Sequence, residues 1–171
     1  MFAIQEKFTQ MKIRQTIKKP ARREAIAFEN IRTVGVIFTV KDLRKHEAVK
    51  KFIRNLENEG KRVEVISFLG KDKDNHEFMF DFFTEKNVNF WGNVMAENLK
   101  KFVETPFDYL VCLDLEMNIF IDVALARTKA KCRVGGYVEN KTDLLEYIIK
   151  PAQKNFDKLA DDIYHYLKSL T

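Results

Sequence analysis

The chain has 171 residues, 46% hydrophobic and 32% charged, a balance that fits one globular domain and excludes a disordered tail. Six glycines and three prolines exclude collagen-like, mucin-like and linker-dominated chains. The formal charge of +5 is concentrated at one end: residues 1–23 carry seven basic side chains against the single acid Glu6, leaving 23 basic and 24 acidic groups on a near-neutral body, which argues against a folded domain that binds nucleic acid as a whole.

Residues 3–17 read as a weakly amphipathic helix with Ile4, Phe8, Met11 and Gln15 on one stripe, interrupted at Pro20. The pattern therefore divides the chain into a basic helical arm over 1–23 and a single α/β domain over 24–171. From Thr33 the run TVGVIFT is short, apolar and β-branched, the signature of a strand covered on both faces. Asp42 can cap a helix whose inward positions are Val49, Phe52, Ile53 and Leu56, with Gly60 as its stop. A second strand over 62–69 completes a β–α–β unit, which implies parallel pairing with a right-handed crossover.

A polar loop over 70–75 leads to an alternating strand at 77–83 and an aromatic loop at 89–93. Further along, the spacing predicts a helix over 95–104, a core strand over 109–114, a helix over 118–127 and a short strand over 131–135. Residues 144–149 fit either a strand or a helical turn. The last helix carries Phe156, Leu159, Ala160, Ile163, Leu167 and Leu170 on one stripe. Alternating strands and helices predict a three-layer α/β sandwich on a mostly parallel, Rossmann-like sheet of five to six strands.

In such a sheet, ligands collect beyond the carboxyl ends of the strands. The loop after the first strand, Thr39-Val40-Lys41-Asp42, lacks the glycines of a dinucleotide site, and no Walker loop occurs in the chain. Asp114 and Glu116 follow the strand at 109–114. Two carboxylates there could hold a Mg²⁺ or act as acid and base; the plainer alternative is that Asp114 caps a turn and Glu116 or Asn118 starts the next helix. Gly135, Gly136 and Tyr137 could admit an anion or stack on a base, or could form only a turn with positive φ. His46, His76 and His165 are scattered, read as surface residues, and have no serine or cysteine in a nucleophile elbow. Cys112 and Cys132 read as buried thiols, which suits a reducing cytoplasm. No apolar stretch is long enough for a membrane span.

Phe90 and Trp91 either close one end of the sheet or form an exposed interaction patch. Lys18, Lys19, Arg22 and Arg23, in the basic arm, could touch RNA or an anionic membrane surface, or the arm could dock on its own domain.

Two resemblances emerge. Phe107-Asp-Tyr-Leu-Val-Cys-Leu-Asp114 and Ala130-Lys-Cys-Arg-Val-Gly135 resemble the N-terminal Rossmann-like half of bacterial heptosyltransferases, of glycosyltransferase family 9. That family has a Gly-Asp turn after its first strand where this chain has Val40-Lys41-Asp42, and its nucleotide-sugar domain has no counterpart in these residues. The resemblance thus implies a fold and leaves Asp42 as the one acidic stand-in. The basic arm, the strand at 33–39, Asn89-Phe-Trp-Gly92 and Thr105-Pro-Phe-Asp-Tyr-Leu110 are more closely similar to a bacterial domain-of-unknown-function family of short proteins, which implies no activity.

The combined expectation is a non-catalytic α/β binding or interaction domain with no metal or cofactor, partnered by another copy or another protein. Two alternatives stay open. One is a nucleotide or sugar-nucleotide binder, or a transferase-related enzyme, at the strand-end crevice. The other is RNA or membrane-surface association through the arm.

Overall fold

The computed structural model describes residues 2–17, 23–73 and 80–171. Strand β1 (Thr33–Thr39) lies at the centre, with its five inner residues buried on both faces. It pairs in parallel with β2 (Arg62–Phe68) on one side and β4 (Tyr109–Cys112) on the other, so that Val34 lies opposite both Val63 and Tyr109. β3 (Asp81–Phe83), β5 (Cys132–Gly136) and β6 (Tyr147–Ile149) complete a six-stranded, all-parallel sheet in the order β3-β2-β1-β4-β5-β6. This is the strand order of the doubly wound Rossmann-type sheet.

Helices α2 (Leu43–Asn58) and α5 (Phe156–Ser169) cover one face. Val49, Phe52 and Leu56 of α2 meet Val34, Val36 and Phe38 there, beside Leu159, Ile163 and Leu167 of α5. The other face is covered by α3 (Glu97–Glu104) and α4 (Ile119–Arg127), packed over Ile37, Ile66, Leu110 and Cys112, and α1 (Phe2–Ile17) lies on α4. The three layers follow from strands that are apolar on both sides. The two cysteines face opposite cores, Cys112 under α4 and Cys132 under α5.

Several local features refine the sequence reading. Asp42 caps α2, accepting from the Lys45 N–H at 2.8 Å, and Gly60 follows that helix at φ +76°. Of the strand expected at 77–83, Asp81–Phe83 joins the sheet, while residues 74–79, with His76, lie outside the described residues. Of the two readings of 144–149 the strand is the one realised, as β6, while the 3₁₀ turn at Thr142–Leu144 lies just before it. His46 is 1% exposed, not on the surface, because it shares the inward side of α2, where its ring lies tilted against Phe80 with 5.0 Å between centroids.

The largest difference concerns α1. It docks on α4 through Thr9 and Ile13, both 8% exposed, with Thr9 Oγ1 donating to the Phe90 carbonyl at 3.2 Å. Ile4, Phe8 and Met11 stay 60%, 40% and 46% exposed. The helix has apolar residues on two opposite sides, and only one side can meet the body.

Candidate functional site

β1 and β4 are neighbours, but the chain leaves them toward opposite faces, into α2 and α4. At such a reversal the loops beyond the strands part, and in open α/β sheets ligands bind in the gap. Here the gap is a cavity of about 520 Å³. It is walled by Thr39 to Asp42, Arg44 and Lys45, by Asp114 to Glu116, and by Lys154 to Asp157 at the start of α5.

Its floor is a buried ion pair. Asp114, 1% exposed, accepts from the Thr39 N–H at 3.0 and 3.1 Å and from Thr39 Oγ1 at 2.8 Å. The same carboxylate is bonded to the Lys45 ammonium, whose position is further fixed 4.9 Å from the Phe156 ring centroid. Asn118 donates to Thr39 Oγ1 at 3.0 Å and caps α4, accepting from the Phe120 and Ile121 N–H groups. Asp114 therefore caps no turn of its own; it ties the end of β4 to the end of β1.

A twin of this arrangement sits at the other end of the two strands. Asp108 accepts from the Arg32 and Thr33 N–H groups at 2.8 and 3.0 Å and from Lys131 Nζ at 2.7 Å. Burial alone would raise its pKa, yet Lys131 and the two backbone donors hold it below the usual carboxylate value. The two aspartates clamp β1 to β4 at both ends. Because the device recurs away from the crevice, Asp114 is a structural clamp whose outer surface forms a floor.

The mouth is charged but balanced. Arg44 binds Asp157 at 2.7 Å, and Lys154 lies 3.9 Å from Glu116. Lys41, Arg44, Lys45 and Lys154 face Asp42, Asp114, Glu116 and Asp157, a formally neutral lining. At each helix start a side chain already competes for the N-terminal donors: Asp42 takes the Lys45 N–H of α2, and Asn155 takes the Asp157 and Lys158 N–H groups of α5 at 2.9 and 3.4 Å. A phosphate cradle needs such donors free.

Asp42, Asp114 and Glu116 of the sequence candidates thus meet at one crevice, although Glu116 projects outward with its side chain 87% exposed, so it does not converge with Asp114 on a shared cation. Among the described residues no group of three or more His, Cys, Asp or Glu side chains could hold a metal ion. Gly135 and Gly136 lie within β5 and neither has positive φ, which corrects the turn reading. They are glycines because of crowding: a Cβ on Gly135 would lie 3.1 Å from Leu145 Cδ1, and one on Gly136 3.2 Å from the Asp114 carbonyl. Tyr137 is 45% exposed, outside the crevice wall, with Lys150 over its ring at 5.5 Å.

Phe90 is half-buried and Trp91 is 53% exposed, on the α1 side of the molecule. Lys18, Lys19 and Arg22 lie outside the described residues. Arg23 turns inward, bonding the Ala130 carbonyl and lying 3.8 Å from Glu146.

Sequence reasoning passed over Lys45, although it precedes Val49 by one helical turn and so shares the inward stripe of α2. It also passed over Asp122, buried on α4 and bonded to Lys141 Nζ at 2.7 Å beside a second cavity of about 500 Å³. Burial pushes the Asp122 carboxyl up to about 6, and one of its oxygens has no hydrogen-bond partner among the described residues.

A family model matches residues 5–170, nearly the whole chain. The chain belongs to DUF6913, a family of unknown function. The match takes in α1 as well as the sheet, so the docked helix is part of the DUF6913 pattern. No curated protein and no solved structure matches this DUF6913 chain, and the heptosyltransferase likeness has no support among them. No helix among the described residues is long and apolar enough to cross a membrane.

Proposed function

We propose that this protein is a non-catalytic α/β binding domain that takes a small, polar, net-neutral molecule at the crevice beyond β1 and β4. The observation that carries this reading is the balanced lining. Four cations and four carboxylates face one cavity, and the two most buried of them, Lys45 and Asp114, are bonded to each other. That pair is bonded inward, and the exposed polar groups around it are the kind that orient hydroxyl, amide and amine groups. A nucleoside diphosphate would bring several negative charges to a lining without excess positive charge and to helix ends already capped. The uncharged, polyhydroxylated part of a sugar, or a zwitterion, suits it better.

The test is calorimetry and thermal shift with neutral sugars and polyols, amino acids, and nucleotide sugars. A saturable rise in Tm with a neutral or zwitterionic compound is expected. Glu116→Arg should weaken it, since that side chain is 87% exposed and its loss leaves the fold intact while unbalancing the lining. Saturable binding confined to the nucleotide sugars, or turnover of any compound in the panel, overturns the reading.

A further inference from the structure

The outward side of α1 has a composition that its docked side does not explain. Ile4, Phe8 and Met11 recur at intervals of four and three residues and form one exposed apolar stripe. Helical geometry sets Lys7 and Arg14 along one border of that stripe and Lys12 along the other, all three exposed and none in an ion pair with a described residue.

Beside the stripe stands the aromatic loop, and it is rigidly held. Asn89 Oδ1 accepts from the Trp91 and Asn93 N–H groups at 3.0 and 2.9 Å, Gly92 adopts φ +70°, and Arg127 Nε donates to the Gly92 carbonyl at 2.6 Å. A Val88–Val94 bridge closes the loop. These bonds set the backbone from which the Trp91 ring projects, 53% exposed, with its centroid 6.2 Å from that of Phe8. An apolar ridge bordered by cations and ending in a half-exposed tryptophan is built into the surface.

We propose that this face docks on an anionic lipid surface. The three apolar side chains of α1 would enter the boundary between headgroups and acyl chains, while the bordering lysines and arginine reach the lipid phosphates. Trp91 would rest at headgroup depth, where an indole ring is favoured. Charge complementarity selects this occupant. A second copy laid stripe to stripe would bring Lys7, Lys12 and Arg14 against their own counterparts, and a nucleic acid would gain nothing from exposed Ile4 and Met11. The proposal is independent of the crevice.

The chain contains a single tryptophan, so Trp91 emission reports the contact directly. The experiment uses the full chain with phosphatidylglycerol-containing vesicles and, in parallel, phosphatidylcholine vesicles, following emission and co-sedimentation. The expected result is a blue shift and co-sedimentation with the anionic vesicles, both diminishing as salt rises. Lys7→Gln and Lys12→Gln should each lower partitioning about fivefold. Phe8→Ser should weaken it further, with far-UV circular dichroism reporting that the fold is retained. No emission change with anionic vesicles at low salt overturns the proposal, as does equal binding to both vesicle types. A concentration-dependent blue shift without lipid, or binding of single-stranded RNA in place of vesicles, overturns it in favour of a second copy or of nucleic acid.

Discussion

Replacing Asp114 by alanine tests whether the crevice floor is a clamp. The wild-type carboxylate, 1% exposed, is the acceptor for the Thr39 N–H and hydroxyl and the counter-ion of Lys45, which is itself 7% exposed. Asp114→Ala leaves a buried ammonium without its anion and a strand-end N–H without its acceptor. Breaking a buried pair from one side costs about 3–5 kcal/mol. For a domain of this size that corresponds to a fall in Tm of roughly 6–20 °C. Lys45→Met should cost less, on the order of 1–3 kcal/mol, since Asp114 keeps both Thr39 donors and the methionine still packs on Phe38 and Phe156. The double variant should be more stable than Asp114→Ala alone, because it removes the stranded charge. Urea denaturation followed by circular dichroism, arranged as a double-mutant cycle, measures the coupling. Two single variants that lose equally little, with no coupling between them, would refute the clamp.

Two further outcomes follow from buried groups. Asp122, with Lys141, Asp143 and Glu6 as its charged neighbours, has its carboxyl raised from 3.8 to about 6 by burial. The folded state thus holds a proton that the unfolded chain has released. The stability this supplies is complete below pH about 4 and is lost as pH rises through about 6, an effect on the order of 3 kcal/mol. Asp122→Asn should flatten that part of the stability profile in urea titrations, and parallel profiles for the two proteins would exclude the effect. Burial also pushes the Cys132 thiol up to about 12 and the Cys112 thiol well above its ordinary value. Both should resist a thiol-specific reagent at neutral pH and react once the protein is unfolded in denaturant; rapid labelling of the native protein would contradict the packing.

The sequence shows most of the scaffold because the scaffold rests on short-range patterns. The run at 33–39 is apolar throughout, the α2 and α5 stripes are regular, and Asp42, Asn118 and Asn155 stand at their caps. What stayed hidden depends on residues brought together from far apart. Nothing in Gly135-Gly136 distinguishes a positive-φ turn from a strand pressed against Leu145 and Leu159. The crevice candidates Asp42, Asp114 and Glu116 could be read from strand ends, but the third wall, Lys154 to Asp157, comes from a helix more than 100 residues after β1. For α1 the sequence held two competing sides, and Ile13 with the Thr9–Phe90 hydrogen bond decided which one turned inward.

The position of β1 has a consequence for how this chain is made. The strand is synthesised early, yet its partners begin at Arg62 and, on the other side, only at Tyr109. A growing polypeptide that has emerged as far as α3 carries an apolar centre whose second edge has nothing to bond to. The molecule can therefore close only after most of it has left the ribosome, and until then its stickiest segment is the one destined for the middle.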